Sequence, residues 1–312
     1  LNRTRSLPKH KLGPQLVGYL LALGSAAAIA ATFVVRKSVS TKVNPATFSV
    51  WWYGLAGVYA WIATLVRGEA RRAEGIRSGW KPTLGLVLFN ASGAILYFME
   101  IDLTNPALVS FFGRLRTVYI VLLGMLFLGE RLNGQEWIGA AVTVLGTLLI
   151  AYHGGSTLSS VFLLALIENL LMAASTIMAK SAVQHIPPFV LAGYRGVLIA
   201  LAILVYAVVT GQWEWVDGPT MVITAAGALS GPFLGHVMNY ASLARVDAGK
   251  AAIVAATQPA FVTVYTVLVF GDLPTLQQAL GGVLTIVGVV LVFAAHDFRE
   301  TPGRQGAGTQ GV

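Results

Sequence analysis

Apolar residues run along this chain in ten windows, each close to the roughly 20 residues an α-helix needs to cross a lipid hydrocarbon core. The first five are Leu16 to Val35, Ala46 to Val66, Leu84 to Leu103, Ala107 to Leu128 and Trp137 to Tyr152. The second five are Leu158 to Met178, Phe189 to Val209, Thr220 to Leu243, Ala248 to Phe270 and Leu276 to Ala295. Gly, Pro, Asn and short charged runs punctuate the turns between them. The pattern predicts an all-α membrane protein with ten transmembrane helices. Residues 1–15 form a basic leading segment, 153–157 a linker, and 296–312 a Gly-rich polar tail expected to be disordered. The first window reads as a retained helix rather than a signal peptide, being too long for a signal core and followed by Arg36 and Lys37 without a small-residue cleavage site.

The windows also repeat. A shift of 142 positions lays Leu126 on Leu268, Gly129 on Gly271, Glu130 on Asp272, Gln135 on Gln277 and Gly139 on Gly281. Thr143, Gly146 and Leu149 fall on Thr285, Gly288 and Leu291. A helix, a Gly-acid turn and a Gly-containing helix thus recur together. The halves are residues 16–152 and 158–295, and because each holds five windows, an odd number, they should enter the membrane in opposite directions, as inverted repeats do.

Composition agrees with a lipid surroundings. Hydrophobic residues make up 56% of the chain and charged residues 11%, with a mean hydropathy of +0.72, too few charges to clothe a water-soluble surface. The formal charge of +8 comes mainly from connectors and not from a basic stripe interleaved with aromatics, so a nucleic-acid partner is not indicated. Of 21 Lys and Arg, 15 fall on the side of the two termini and only Arg36, Lys37 and Lys42 on the other, which predicts cytoplasmic termini, in a bacterial-type inner or plasma membrane. There is no cysteine, hence no disulfide frame or thiolate metal site, and no cofactor is implied.

The run Leu128-Gly129-Glu130-Arg131-Leu132 followed by Trp137-Ile138-Gly139-Ala140-Ala141 resembles the signature fourth and fifth helices of the EamA-like branch of the drug/metabolite transporter superfamily. Thr257-Gln258-Pro259-Ala260-Phe261 is similar to the entry of the matching helix in that family's second repeat. The resemblance spans Leu16 to Ala295 and implies a permease for a small organic solute. It does not select among amino acids, sugars, phosphorylated compounds, amines and drugs. One departure is local: where the second half has Gln258-Pro259, the first has Arg116-Thr117.

A charge near the bilayer centre costs about 2.5–3.5 kcal/mol on insertion scales, so it should face a partner or a wet cavity. Five such residues occur: Arg114 and Arg116 in the fourth window, Glu168 in the sixth, Arg195 in the seventh and Glu100 near the outer end of the third. Arg114 and Arg116 are two apart and point in nearly opposite directions, so only one can line a given cavity. Arg116 shares its face with Tyr119. A guanidinium there can grip a carboxylate or phosphate through two parallel hydrogen bonds, or it can form an ion pair with Glu168 or Glu100 that fixes packing. Glu168 and Glu100 are candidates for coupling through proton uptake. Arg195, in Tyr194-Arg195-Gly196, matches a recurrent position of the family, or anchors its helix at the interface. Neutral hydrogen-bonding candidates are His236 and Asn239, three apart on one helix face, and Gln258 and Tyr97; the shift relates Gln258 to Arg116 and Tyr97 to Asn239. Gly227, Gly231 and Gly235, and the pairs Gly139/Gly146 and Gly281/Gly288, have the spacing of close helix contacts, within the chain or in a homodimer.

Three classes of function compete. A secondary transporter working by alternating access fits the inverted repeat, with an amino acid or organic anion as solute. A drug or lipophilic-cation exporter is the alternative of the same class. A channel lacks a filter-like repeat, and a membrane enzyme lacks HExxH, a Walker loop or paired aspartates.

Overall fold

The computed structural model describes residues 13–69, 76–103, 113, 115–151, 160–271, 273 and 275–297, and every regular element among them is helical. Local chemistry sets the helix starts. Helix α1, Pro14–Val39, and α2, Pro45–Val66, each begin with proline, whose missing N–H would have no intrahelical partner there. Asn44 caps α2, its Oδ1 accepting from the Thr47 amide at 2.9 Å. Helix α3 spans Ile76–Leu103, α4 Leu115–Leu128, α5 Gly134–Ala151, α6 Ser160–Ala182 and α7 Pro188–Val209. Asn133 and Glu136 cap α5 reciprocally, each side chain accepting from the other's amide at 2.8 Å.

The eighth window departs from the continuous helix expected. It is α8, Gly218–Ala228, then a π-helical stretch over Leu229–Gly235, then α9, His236–Leu243. Pro232 lies inside the π-helical stretch; it donates no hydrogen bond and its ring displaces the carbonyl four residues back, so the turn widens. The ninth window also divides, into α10, Ala248–Ala255, and α11, Gln258–Phe270, with Pro259 in the first turn of α11. The tenth is one helix, α12, Leu276–Asp297, two residues longer than its window. Helix α3 begins eight residues before its window, taking in a polar first turn and Pro82. The proposed basic segment up to residue 12, the linker at 153–157, Arg114 and the tail beyond 297 lie outside the described residues.

Among the described residues, six helical stretches are long and apolar enough to cross a membrane: Pro14–Val39, Pro45–Val66, Leu163–Ala182, Pro188–Val209, Gly218–Leu243 and Ala248–Phe270. Leu115–Leu128 and Ala279–Val292 are shorter apolar helices. Large aliphatic side chains lie on the outside, such as Val66, Leu126, Val209 and Leu268, while much of the interior is alanine, including Ala22, Ala30, Ala56, Ala60, Ala182 and Ala207. This inversion suits a lipid solvent, where apolar side chains gain nothing by hiding and small ones let backbones meet. The chain is an integral membrane protein.

Packing relates the two halves. Helix α2 lies along α7, and α5 along α12; α3 pairs with α6 just as α1 pairs with the π turn and α9. Where α5 crosses α12, a Cβ on Gly146 would stand 2.7 Å from the Gly281 carbonyl, and one on Gly288 2.7 Å from the Gly139 carbonyl. These are the residues the shift of 142 exchanges. The glycine row 227, 231, 235 lies against Val35, Thr32 and Ile29 of α1. Both glycine patterns therefore serve contacts within the chain.

Candidate functional site

Two polar clusters interrupt the apolar interior. In the first, α4 and α6 bring Arg116 to Glu168, whose Oε1 accepts from Arg116 Nη2 at 2.8 Å. The burial is unequal: the Glu168 side chain is 2% exposed and that of Arg116 39%. Among the described residues Arg116 Nε, itself buried, has no hydrogen-bond partner, so the pair leaves part of the guanidinium unused. Glu100 of α3, also buried, is repelled by Glu168 and attracted by Arg116, and its Oε1 makes no hydrogen bond. One cation thus faces two carboxylates, and with both ionised the group carries a net charge of minus one. Asn169 adds a buried Oδ1 without a partner.

The second cluster surrounds Arg195 of α7, which is 3% exposed. Its Nη2 donates to Asn90 Oδ1 across 3.4 Å, and its guanidinium carbon lies 5.1 Å from the Tyr53 ring centroid. Among the described residues it has no carboxylate partner. A cation–π contact contributes about 0.5–2 kcal/mol and a hydrogen bond of that length little, whereas burying an unpaired ion costs several kcal/mol. The Arg195 charge is therefore only partly compensated. Tyr240 of α9 feels both Arg195 and Tyr53, is buried, and its hydroxyl has no hydrogen-bond partner. Gly57 and Gly196 create this juxtaposition by letting α2 and α7 touch: a Cβ on Gly196 would lie 2.8 Å from the Tyr53 carbonyl. The same shift of 142 relates Tyr53 to Arg195.

His236 opens α9 and feels the charges of both Arg195 and Arg116. Its Nδ1 lies 3.3 Å from the Gly231 carbonyl, which holds the ring at the foot of the π turn, and Tyr240 packs edge-on to it at 6.2 Å. Asn239 and Gln258 are half-buried. Gln258 opens α11 and Arg116 sits in the first turn of α4, so the repeat relation between them holds at the level of helix starts. Tyr119 packs against the main core, and Tyr97 interacts with Arg36, at the far end of α1. Sequence reasoning overlooked Asn90 and Tyr240 and did not connect Tyr53 with Arg195. A mid-window asparagine and the repeat relation to Arg195 were the signals available.

A third set of charges lies at the ends of the helices and is structural in form. Glu130, the acid of the Gly-acid turn, accepts from the amides of Ala248 at 2.6 Å and Gly249 at 2.9 Å, capping α10. Lys180 Nζ donates to the carbonyls of Leu243 and Val246, each at 2.7 Å, closing the end of α9. Lys250 pairs with Glu136 at 2.9 Å. The turn between α9 and α10 is thus held by the α4–α5 turn, α5 and α6 together. No group of three or more His, Asp or Glu among the described residues is placed to hold a metal ion.

Comparison with known proteins follows the same division of the chain. The family model described as the EamA-like transporter family matches residues 16–152 and again 159–294. A protein of Archaeoglobus fulgidus described as an uncharacterized transporter is 26% identical over 216 residues, 67% of this chain and 75% of its own length. Another of that description from Synechocystis sp. is 21% identical over 234 residues, 68% of this chain and 64% of its own. One solved crystal structure, 18% identical, covers 90% of this chain and 98% of its own with a TM-score of 0.77, which shows a shared fold.

Proposed function

The chain belongs to the EamA-like transporter family and is a membrane transporter, and on that premise we propose that it moves a small anionic or zwitterionic organic solute by alternating access. The ten helices form two inverted halves, 16–152 and 158–295, which rock about the α2–α7 and α5–α12 contacts, with the termini in the cytoplasm and the chain in a plasma membrane. The symmetric pairing of helices supports this motion, because each closure on one side has a counterpart available on the other.

The single observation that carries the solute class is the half-exposed Arg116, paired with buried Glu168 yet keeping an unused guanidinium edge inside apolar helices. A solute carboxylate takes that edge. Glu168 and Glu100 then either hold the solute's ammonium or exchange a proton, coupling movement to charge balance. Gln258, Asn239, His236, Tyr97 and Tyr119 supply neutral contacts, and Arg114 is the second candidate guanidinium of the sequence. A thermal-shift screen of the detergent-purified protein against amino acids, organic anions, phosphorylated sugars and lipophilic cations tests this. Stabilisation by anions or zwitterions that is lost in Arg116→Gln is expected.

The excess carboxylate beside Arg116 favours a second reading, a lipophilic-cation or drug exporter. Stabilisation by cations alone, unchanged in Arg116→Gln, would establish it over the first.

A further inference from the structure

We propose that Arg195, with Tyr53 and Tyr240, is the seat for the oxyanion of the transported solute, a carboxylate or phosphate group. This rests on the transporter reading above and makes it more specific, since it gives the solute's acid group a buried seat in the second cluster in addition to the Arg116 edge. Two independent features point there. The buried guanidinium has an aromatic face and a long bond to a neutral amide where a counter-ion belongs. Helix α9 packs on α7, and its buried Tyr240 hydroxyl has a proton to donate and, among the described residues, no acceptor. A two-oxygen anion answers both, accepting the guanidinium fork and the phenol together. An unmet donor inside a lipid-embedded bundle is costly to keep for packing alone, and a phenylalanine in place of Tyr240 would remove that cost.

The position suits the task. Arg195 and Tyr53 are exchanged by the internal repeat and meet where α2 crosses α7 at Gly57 and Gly196. A site between repeat-related helices is reached from either side as the halves rock. The repeat is broken there in chemistry, arginine on one half and tyrosine on the other, so a single oxyanion is seated rather than two. His236 feels the charges of both Arg195 and Arg116, so this positive seat and the carboxylate-rich first cluster are within electrostatic reach of one residue. The solute is therefore held by its acid group at Arg195, and any ammonium it carries is directed toward Glu168 and Glu100.

The test is ligand-dependent thermal stabilisation of the full chain, titrated with L-alanine, succinate, glycerol 3-phosphate, inorganic phosphate and tetraphenylphosphonium, for the parent, Arg195→Gln, Arg195→Lys, Tyr240→Phe and Arg116→Gln. At least one oxyanion probe is expected to stabilise the parent. Its half-maximal concentration should rise about tenfold or more in Arg195→Gln, less in Arg195→Lys, which keeps charge but loses the fork, and several-fold in Tyr240→Phe. Carboxylate and phosphate probes separate the two sources of the oxyanion, and alanine against succinate shows whether an ammonium adds affinity. Unchanged affinity in folded Arg195→Gln, with loss in Arg116→Gln, would overturn this seat while leaving the anionic-solute reading intact. Stabilisation by tetraphenylphosphonium only, or by no oxyanion probe, would overturn both. Should Arg195→Gln not fold, unchanged affinity in Tyr240→Phe overturns the seat.

Discussion

Arg116→Gln and Glu168→Gln break the same 2.8 Å contact, yet the structure predicts unequal costs. Removing the arginine leaves Glu168, 2% exposed, beside Glu100 with no cation between them. Breaking a buried pair in that direction costs about 3–5 kcal/mol. Removing the glutamate leaves an arginine 39% exposed, which the proposed solute cavity keeps in contact with water, and relieves the repulsion with Glu100. A cost of about 1 kcal/mol, that of an exposed pair, is then the ceiling. At about 2–4 °C per kcal/mol, the two variants should differ in apparent melting temperature by roughly 4–16 °C, Arg116→Gln being the lower. The double variant should recover most of that gap, because no buried charge is stranded at position 168. Tryptophan-fluorescence melting in one detergent and one salt concentration reads all four proteins. Equal melting of the single variants, or a lower value for Glu168→Gln, would refute the asymmetry of burial and with it the placement of Arg116 at a wet surface.

Other perturbations discriminate the packing from the chemistry. Gly146→Leu and Gly288→Leu force α5 and α12 apart at contacts of 2.7 Å and should abolish folded protein, whereas Gly282→Ala, which meets nothing within 4 Å, should melt at or slightly above the parent; equal behaviour would deny that the glycines hold the halves together. Glu130→Ala removes both acceptors at the start of α10 and should cost about 2 kcal/mol, read as a melting shift, with little change in the ligand concentration for half-maximal stabilisation. Lys180→Met leaves the carbonyls of Leu243 and Val246 without their donor and should loosen the α9–α10 turn, seen as faster hydrogen exchange there; unchanged exchange would mean the lysine is dispensable.

Much of the architecture was legible because lipid imposes one rule, long apolar windows, and the polar turns between them are sharp. The glycines matched by the shift, Gly139 and Gly146 with Gly281 and Gly288, were legible as close helix contacts, since such packing admits few side chains, but whether within the chain or in a homodimer was open until the structure placed them where α5 meets α12. The π turn at Pro232 and the break before Pro259 were visible as prolines, but hydropathy averages over them and does not say whether a proline bends, widens or interrupts a helix. The ion pair of Arg116 with Glu168 was one of two readings the sequence left open, because face and register alone do not choose between two carboxylates on different helices. Arg195 was harder still. A seat made from α2, α3, α7 and α9 depends on tertiary approach, and the asparagine and tyrosines that surround it are ordinary residues in the sequence.

Counterflow in proteoliposomes tests the central claim most directly. Vesicles holding the purified chain are loaded with an unlabelled amino acid or organic anion and diluted into the labelled compound. Saturable accumulation above that of empty vesicles is expected, reduced in Arg116→Gln. Accumulation of lipophilic cations only, indifferent to Arg116→Gln, or of no solute at all, would contradict it.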